Sequence, residues 1–166
     1  MNSNNKKKFK QFLEIAKELN RHKIIPILYG SLGVSQLVEV RDVDDIDILI
    51  SDKWLTNDNN NIEKLKNIMY KIDYKQDPVF PHEFFKGKNF VGFSPINDTE
   101  RELKLKINKT KITKINGIKF RELSAEKHLE FYKNSIHFAE NNISIIQKKI
   151  KKKQDKIKKL KELIKK

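Results

Sequence analysis

The sequence predicts an α/β (α+β) fold, a mixed β-sheet flanked by helices and followed by a long C-terminal helix. Three observations carry that expectation. Helix-spaced and strand-spaced apolar patterns alternate through residues 7–121, as a layered sheet-and-helix body requires. The runs Ile24–Tyr29 and Ile46–Ile50 are short and rich in isoleucine, which suits buried strands. From Leu129 onward apolar residues recur at seven-residue intervals, the spacing of a long helix with one seam.

In chain order, Phe9, Phe12, Leu13, Ala16 and Leu19 lie on one stripe, so a helix is expected over Lys7–Asn20. Ile24–Tyr29 reads as a strand. Pro26 inside it points to an edge, an irregular strand, or a position where a missing N–H does no harm. Gly30-Ser31-Leu32-Gly33 reads as a turn, Val34–Val40 as a short helix, and Asp44–Ser51 as a strand. Side chains alternate in a strand, so Ile46, Ile48 and Ile50 share one face, while Asp45 and Asp47 share the other. Asp44 would fall on the isoleucine face but sits at the strand's entrance and can turn to solvent, where Asp42 before it is also expected.

Trp54 follows in a loop and is expected to pack near the site. Ile62, Leu65, Ile68, Met69 and Ile72 then predict an amphipathic helix. Pro78 and Pro81 keep Tyr74–Phe85 extended, and Gly87-Lys88-Asn89 turns it into a strand over Phe90–Ser94. Phe84, Phe85, Phe90 and Phe93 are expected as packing of that hairpin. Leu103, Leu105 and Ile107 alternate with lysines, and Asn116-Gly117 makes a turn before Ile118–Arg121, so this part reads as peripheral strand and loop.

Ser124 can cap the last helix, which divides the chain into a body, 1–123, and a basic amphipathic helix, 124–166. Its seam comprises Leu129, Ile136, Ile143, Ile150, Ile157 and Ile164, with Tyr132, Ala139, Ile146, Lys153 and Leu160 as companions. Such a coiled-coil seam can fold back on the body, join a second copy as a homodimer, or leave the helix standing out as a solvated basic arm. At 166 residues, with 37% hydrophobic and 35% charged residues, the body is large enough for a single core. No window approaches the roughly 20 apolar residues of a transmembrane span, and no apolar signal core follows Met1–Lys8. With no cysteine there is no disulfide or thiolate metal site, and cytoplasm is the expected compartment.

The net charge of +14 is uneven, since Gln147–Lys166 holds eleven lysines against Asp155 and Glu162, leaving +5 for the rest. This places any nucleic-acid binding on the tail rather than the body. The abundance of Lys, Asn and Ile fits an AT-rich coding bias, which raises lysine content without selection for binding.

Two carboxylates on one strand face, two residues apart, repel each other unless a cation lies between them. Hard oxygen ligands suit Mg²⁺, which fills the rest of its shell with water and phosphate oxygens. Gly30 and Ser31 offer backbone N–H groups and a hydroxyl, with no Cβ at Gly30 to block a phosphate. The expected site is therefore a phosphate-holding turn at Gly30 and Ser31, with metal held by Asp45 and Asp47. The histidines need no such role. His82 reads equally as a base or a structural residue, and His22, His128 and His137 are expected at the surface.

Tyr29-Gly30-Ser31, thirteen residues, then Asp45-Ile46-Asp47 resembles the signature of the DNA polymerase β-type nucleotidyltransferase superfamily. The nearest likeness is to the small bacterial proteins akin to aminoglycoside and lincosamide nucleotidyltransferases. The signature covers Ile24–Ile50, with a looser likeness through the Phe80–Ile96 hairpin. The resemblance implies a nucleotidyltransferase-like α/β core that binds ATP or another nucleoside triphosphate as substrate, with Mg²⁺. It implies in-line attack of an acceptor hydroxyl on the α-phosphorus, releasing pyrophosphate. It also implies a third catalytic carboxylate on a later strand, Glu83 in preference to Asp77, because Glu83 has strand-like neighbours and Asp77 precedes Pro78. The acceptor is not implied. The alternative expectation is an inactive member of this fold that oligomerises or binds nucleic acid through its Ile/Lys-rich helix.

Overall fold

The structure, a computed structural model, describes residues 2–41, 43–107, 110–140 and 147–165, without the side chains of 59, 137–140 and 147–150. The order is α1 (Ser3–Arg21), β1 (Ile27–Leu28), α2 (Gly30–Ser35), β2 (Asp45–Ile50), α3 (Asn61–Tyr70), β3 (Lys75–Gln76), β4 (Glu83–Lys86), β5 (Asn89–Pro95), α4 (Ile96–Glu102), β6 (Ile112–Ile115), β7 (Ile118–Glu122), α5 (Ala125–Glu140) and α6 (Gln147–Ile164). Seven strands form one sheet in the order β3-β4-β5-β2-β1-β7-β6. The pairs β2–β5 and β1–β7 are parallel and the rest antiparallel, which makes the sheet mixed.

One face of β2 is apolar because of its alternation. Ile46, Ile48 and Ile50 are fully buried with Phe84, Val91 and Phe93 of the neighbouring strands. Helices α1 and α3 cover that face with Phe12, Ile15, Ala16 and Leu19, and with Leu65, Ile68 and Met69. Phe12 meets Phe120 of β7 edge to face, with ring centroids 5.2 Å apart. The opposite face carries Asp45 and Asp47 at one end. At the other end Leu49 joins Ile27, Leu103, Leu105, Ile107 and Leu123 in a second, smaller apolar cluster. Burial at one end of this face and charge at the other define where a site can lie.

Several elements differ from the sequence reading. Helix α1 starts at Ser3, before its first apolar residue, because the Asn2 side chain accepts from Asn5 N at 2.9 Å and caps it. Pro26 precedes a two-residue strand in the sheet interior, not at an edge. Its carbonyl accepts from Arg121 N at 2.9 Å, and its missing N–H costs nothing there. Strand β7 is likewise interior rather than peripheral, since it pairs with β1. Gly30–Gly33 is the first turn of α2, closed by Gly33 N donating to Tyr29 O at 3.2 Å. Leu103, Leu105 and Ile107 are buried without forming a strand, and the preceding α4 buries only Thr99, so it leaves no apolar stripe in the sequence.

The C-terminal segment doubles back. Lys156 Nζ lies 5.3 Å from the Tyr132 ring, whereas 24 residues of continuous helix would separate them by about 36 Å. Helices α5 and α6 pack on each other, and Leu160 of α6 is fully buried in the main core, with Ile157 beside it. Of the other seam positions, Ile143 and Ile146 lie outside the described residues. No described helix is long and apolar enough to cross a membrane.

Candidate active site

Strand β2 enters the sheet with Asp45 and Asp47 facing away from the isoleucines, Asp45 exposed and Asp47 half-buried. Beside them the chain leaves β1 through Tyr29, whose N–H donates to Asp47 O at 3.3 Å, and starts α2 at Gly30. Gly30 has φ +65°, and a Cβ there would stand 1.9 Å from Asp47 Oδ2. Only glycine allows the helix start to press on this carboxylate.

The strand register completes the group. Asp47 lies opposite Gly92 of β5, and Gly92 lies opposite Glu83 of β4, so Asp47, Gly92 and Glu83 form one row across three strands. Residues directly opposite each other share a face, which puts Glu83 on the aspartates' side. The row has room between its carboxylates, since even a Cβ at Gly92 would come no closer than 4.0 Å to Asp47 Oδ1, an ordinary contact.

Asp77 has a different occupation. Its Oδ1 accepts from Val79 N at 2.8 Å and Phe80 N at 3.0 Å, tying down the turn before β4. His82 Nε2 pairs with Leu55 O at 3.1 Å, a bond that holds two loops together. Asp44 is exposed and ion-paired with Lys152 at 3.1 Å, while Asp42 lies outside the described residues. Trp54 packs against the main core.

Electrostatics single out Asp47. Burial, then the charge of Asp45, pushes its carboxyl up to about 7, with Lys156 pulling the other way and Glu83 adding to the rise. Burial and then Asp47 also hold the Tyr29 and Tyr132 phenols well above their ordinary range, so both stay neutral. Tyr29 Oη lies 2.9 Å from Ser94 Oγ, and the buried Tyr132 phenol faces Ser31.

The C-terminal arm supplies groups that the sequence reading left out. Lys156 is 9% exposed and donates to Ser31 Oγ. His128 is buried, not at the surface as expected. It lies against Gly33, where a Cβ would stand 2.8 Å from its ring Cε1. Burial, reinforced by the Lys156 charge, lowers His128 to about 3 and keeps it neutral. Among eleven lysines in residues 147–166 nothing in the sequence marks Lys156.

Among the described residues no three His, Cys, Asp or Glu side chains already converge on one cation position. The residues present nevertheless fit a divalent cation of the kind that completes its shell with water and phosphate. Burial, then the charge of Asp45, raises Asp47, and a cation between the two carboxylates would offset both.

No family model matches the chain. The uncharacterized protein YnaI of Bacillus subtilis (strain 168) is 34% identical over 137 residues, spanning 78% of this chain and 83% of that protein. The crystal structure of ANT(2")-Ia in complex with adenylyl-2"-tobramycin superposes with a TM-score of 0.53 at 11% identity, covering 95% of this chain and 94% of the other. An antigenic nucleotidyltransferase-like protein from Paracoccidioides brasiliensis gives a TM-score of 0.58 at 16% identity, over 91% and 73% of the two chains. The chain belongs to the family of B. subtilis YnaI, and its fold is nucleotidyltransferase-like.

Proposed function

We propose that the protein is a Mg²⁺-dependent nucleotidyltransferase that moves a nucleoside monophosphate from a nucleoside triphosphate to an acceptor hydroxyl. The observation that carries this is the packing of Gly30 directly on Asp47, with Glu83 in the same cross-strand row. The start of α2 and the carboxylates of Asp45, Asp47 and Glu83 thereby lie on one face of the sheet, with Glu83 two strands away from Asp47.

Each residue has a distinct task in this reading. The Gly30 and Ser31 backbone N–H groups and the Ser31 hydroxyl receive phosphate oxygens. Asp45 and Asp47 hold the metal, which when bound would offset the charge on the attacking and leaving oxygens. Glu83 accepts the proton of the acceptor hydroxyl as it attacks the α-phosphorus in line, and pyrophosphate leaves. The ANT(2")-Ia neighbour, solved with an adenylylated aminoglycoside, supports transfer to a hydroxyl as the reaction class.

The test is pyrophosphate release from each labelled triphosphate with Mg²⁺ and a panel of hydroxyl acceptors. Release should vanish in Asp45→Ala and Asp47→Ala. Glu83→Gln should lose turnover while keeping nucleotide affinity. Equal turnover in Glu83→Gln and wild type would remove Glu83 from the mechanism.

A second reading, an interaction module working through its C-terminal helix, has one supporting observation. Lys151, Lys158 and Lys161 are exposed along α6, and Lys165 just past its end. RNA binding that weakens steeply with salt, in a protein that binds no nucleotide, would favour it.

A further inference from the structure

The two faces of the β4–β5 hairpin carry their aromatic residues to different ends. Phe84, Val91 and Phe93 are buried in the main core, whereas Phe85 is half-buried and Phe90 is 48% exposed. Strand alternation puts this second pair on the side of the carboxylates, so only half of the hairpin's phenyls pack inward, not all of them as expected. The Phe85 and Phe90 rings lie side by side, with centroids 6.4 Å apart and planes tilted by 41°.

The strand register fixes what surrounds them. Phe90 lies opposite Asp45 of β2 on one side and Phe85 of β4 on the other, as Gly92 lies between Asp47 and Glu83. The face is thus a grid of two rows over three strands, Asp45–Phe90–Phe85 beside Asp47–Gly92–Glu83. Neighbouring strands are about 4.8 Å apart, and residues two apart in one strand about 6.6 Å. A flat ring seated on Phe90 and Phe85 therefore brings a substituent over Gly92, which contributes no side chain between Asp47 and Glu83. Asp45, Glu83 and Phe90 are exposed, so this part of the face opens to solvent.

Charge narrows the kind of molecule that fits. With metal on Asp45 and Asp47, Glu83 is the one carboxylate of the grid left for other contacts. The row through the phenyls runs on to the exposed Lys75, opposite Phe85. Such a surface serves a polycation poorly and suits a neutral or anionic molecule with a flat apolar face, because a phenyl stacks on planar rings of any identity.

We infer that Phe90 and Phe85 are the acceptor platform, and that the acceptor is a small molecule with a planar aromatic or heteroaromatic ring beside its reacting hydroxyl. The ring stacks on the phenyls and the hydroxyl lies over Gly92, on the Glu83 side. Its oxygen bonds to the α-phosphorus, the bond from that phosphorus to the pyrophosphate oxygen breaks, and the proton passes to Glu83. Two phenyls support one ring rather than a run of nucleotides, which favours a small acceptor over a nucleic-acid strand. This rests on the proposed nucleotidyltransferase reading.

The test is calorimetry on the full chain, first with the α,β-methylene analogue of each ribonucleoside triphosphate and Mg²⁺. The protein loaded with the analogue that binds is then titrated with adenosine, with oligoadenylate, and with tobramycin, a polycation without an aromatic ring. Adenosine should bind, and Phe90→Ala should weaken it about tenfold or more. Phe90→Leu, apolar but without a ring, should weaken it likewise, while Phe90→Tyr stays near wild type. The analogue should bind all three variants as it binds wild type, which also shows that they are folded. No adenosine binding to the loaded wild type, full affinity in Phe90→Leu, or tobramycin binding tighter than adenosine would overturn the inference and leave the enzyme reading intact. Oligoadenylate bound through Phe90 where adenosine is not would overturn it in favour of a nucleic-acid strand. A wild type that binds no analogue would overturn both.

Discussion

Asp47 bears the sharpest conflict between stability and function. Its carboxyl titrates near 7 in the folded protein, against about 3.8 in the open chain. Between those values the folded state holds the extra proton, so stability falls as pH rises from about 4 to 7, and the deficit is complete above 7. The metal-free Asp47→Asn variant should accordingly exceed wild type in stability by about 1–3 kcal/mol at pH 8 and match it near pH 4. Urea melts in a chelating buffer read this difference, and equal stability at pH 8 would show that burial and the Asp45 charge do not disfavour the Asp47 carboxylate as described. Gly30 gives the complementary case. With φ +65° and Asp47 Oδ2 only 1.9 Å from the place of a Cβ, Gly30→Ala should cost about 1–3 kcal/mol and abolish nucleotide binding. Retained binding in that variant would mean the helix start is free to move off the carboxylate.

The two C-terminal helices tie the site to the core through different residues. His128 of α5 is held to about 3 when folded, against about 6.5 in the open chain. Here the unfolded state binds the extra proton, so the stabilisation is full above about 6.5 and is lost as pH falls towards 3. His128→Gln should flatten the stability-versus-pH curve between pH 4 and 6 by about 1 kcal/mol per unit. Parallel curves for the two proteins would contradict the burial of a neutral imidazole. Leu160 of α6 is fully buried within its own chain, so Leu160→Ala should cost about 2–5 kcal/mol. The melting temperature should be independent of protein concentration, whereas a seam between two copies would make it rise with concentration.

Across the whole molecule, the legible parts of the sequence were those where chemistry segregates by period. The alternation of Ile46, Ile48 and Ile50 with Asp45 and Asp47 specifies both the strand and the face of the site. Helix α3 is equally plain in Leu65, Ile68 and Met69. What stayed hidden depends on contacts distant in the chain. Strands β1 and β7 are interior because they pair with each other, across the 89 residues between Leu28 and Ile118, and neither Pro26 nor the Lys-rich flank of β7 signals that. Glu83 joins Asp47 through the register of β4, β5 and β2, which no local pattern encodes. Lys156 reaches Ser31 only because α6 folds back, and among its neighbouring lysines it carries no distinguishing mark. The fold therefore reads from periodicity, the first half of the candidate site from one strand and one turn, and the rest from tertiary placement alone.

The central claim is that the face formed by Gly30, Ser31, Asp45 and Asp47 is a metal–nucleotide site. Calorimetric titration of each ribonucleoside triphosphate into the full chain, with Mg²⁺ and then with EDTA, addresses it directly. The structure leads us to expect one equivalent of at least one triphosphate bound with Mg²⁺, with the heat lost in EDTA and in Asp47→Ala. No binding of any of the four in the presence of Mg²⁺, or binding that survives both EDTA and Asp47→Ala, would contradict it.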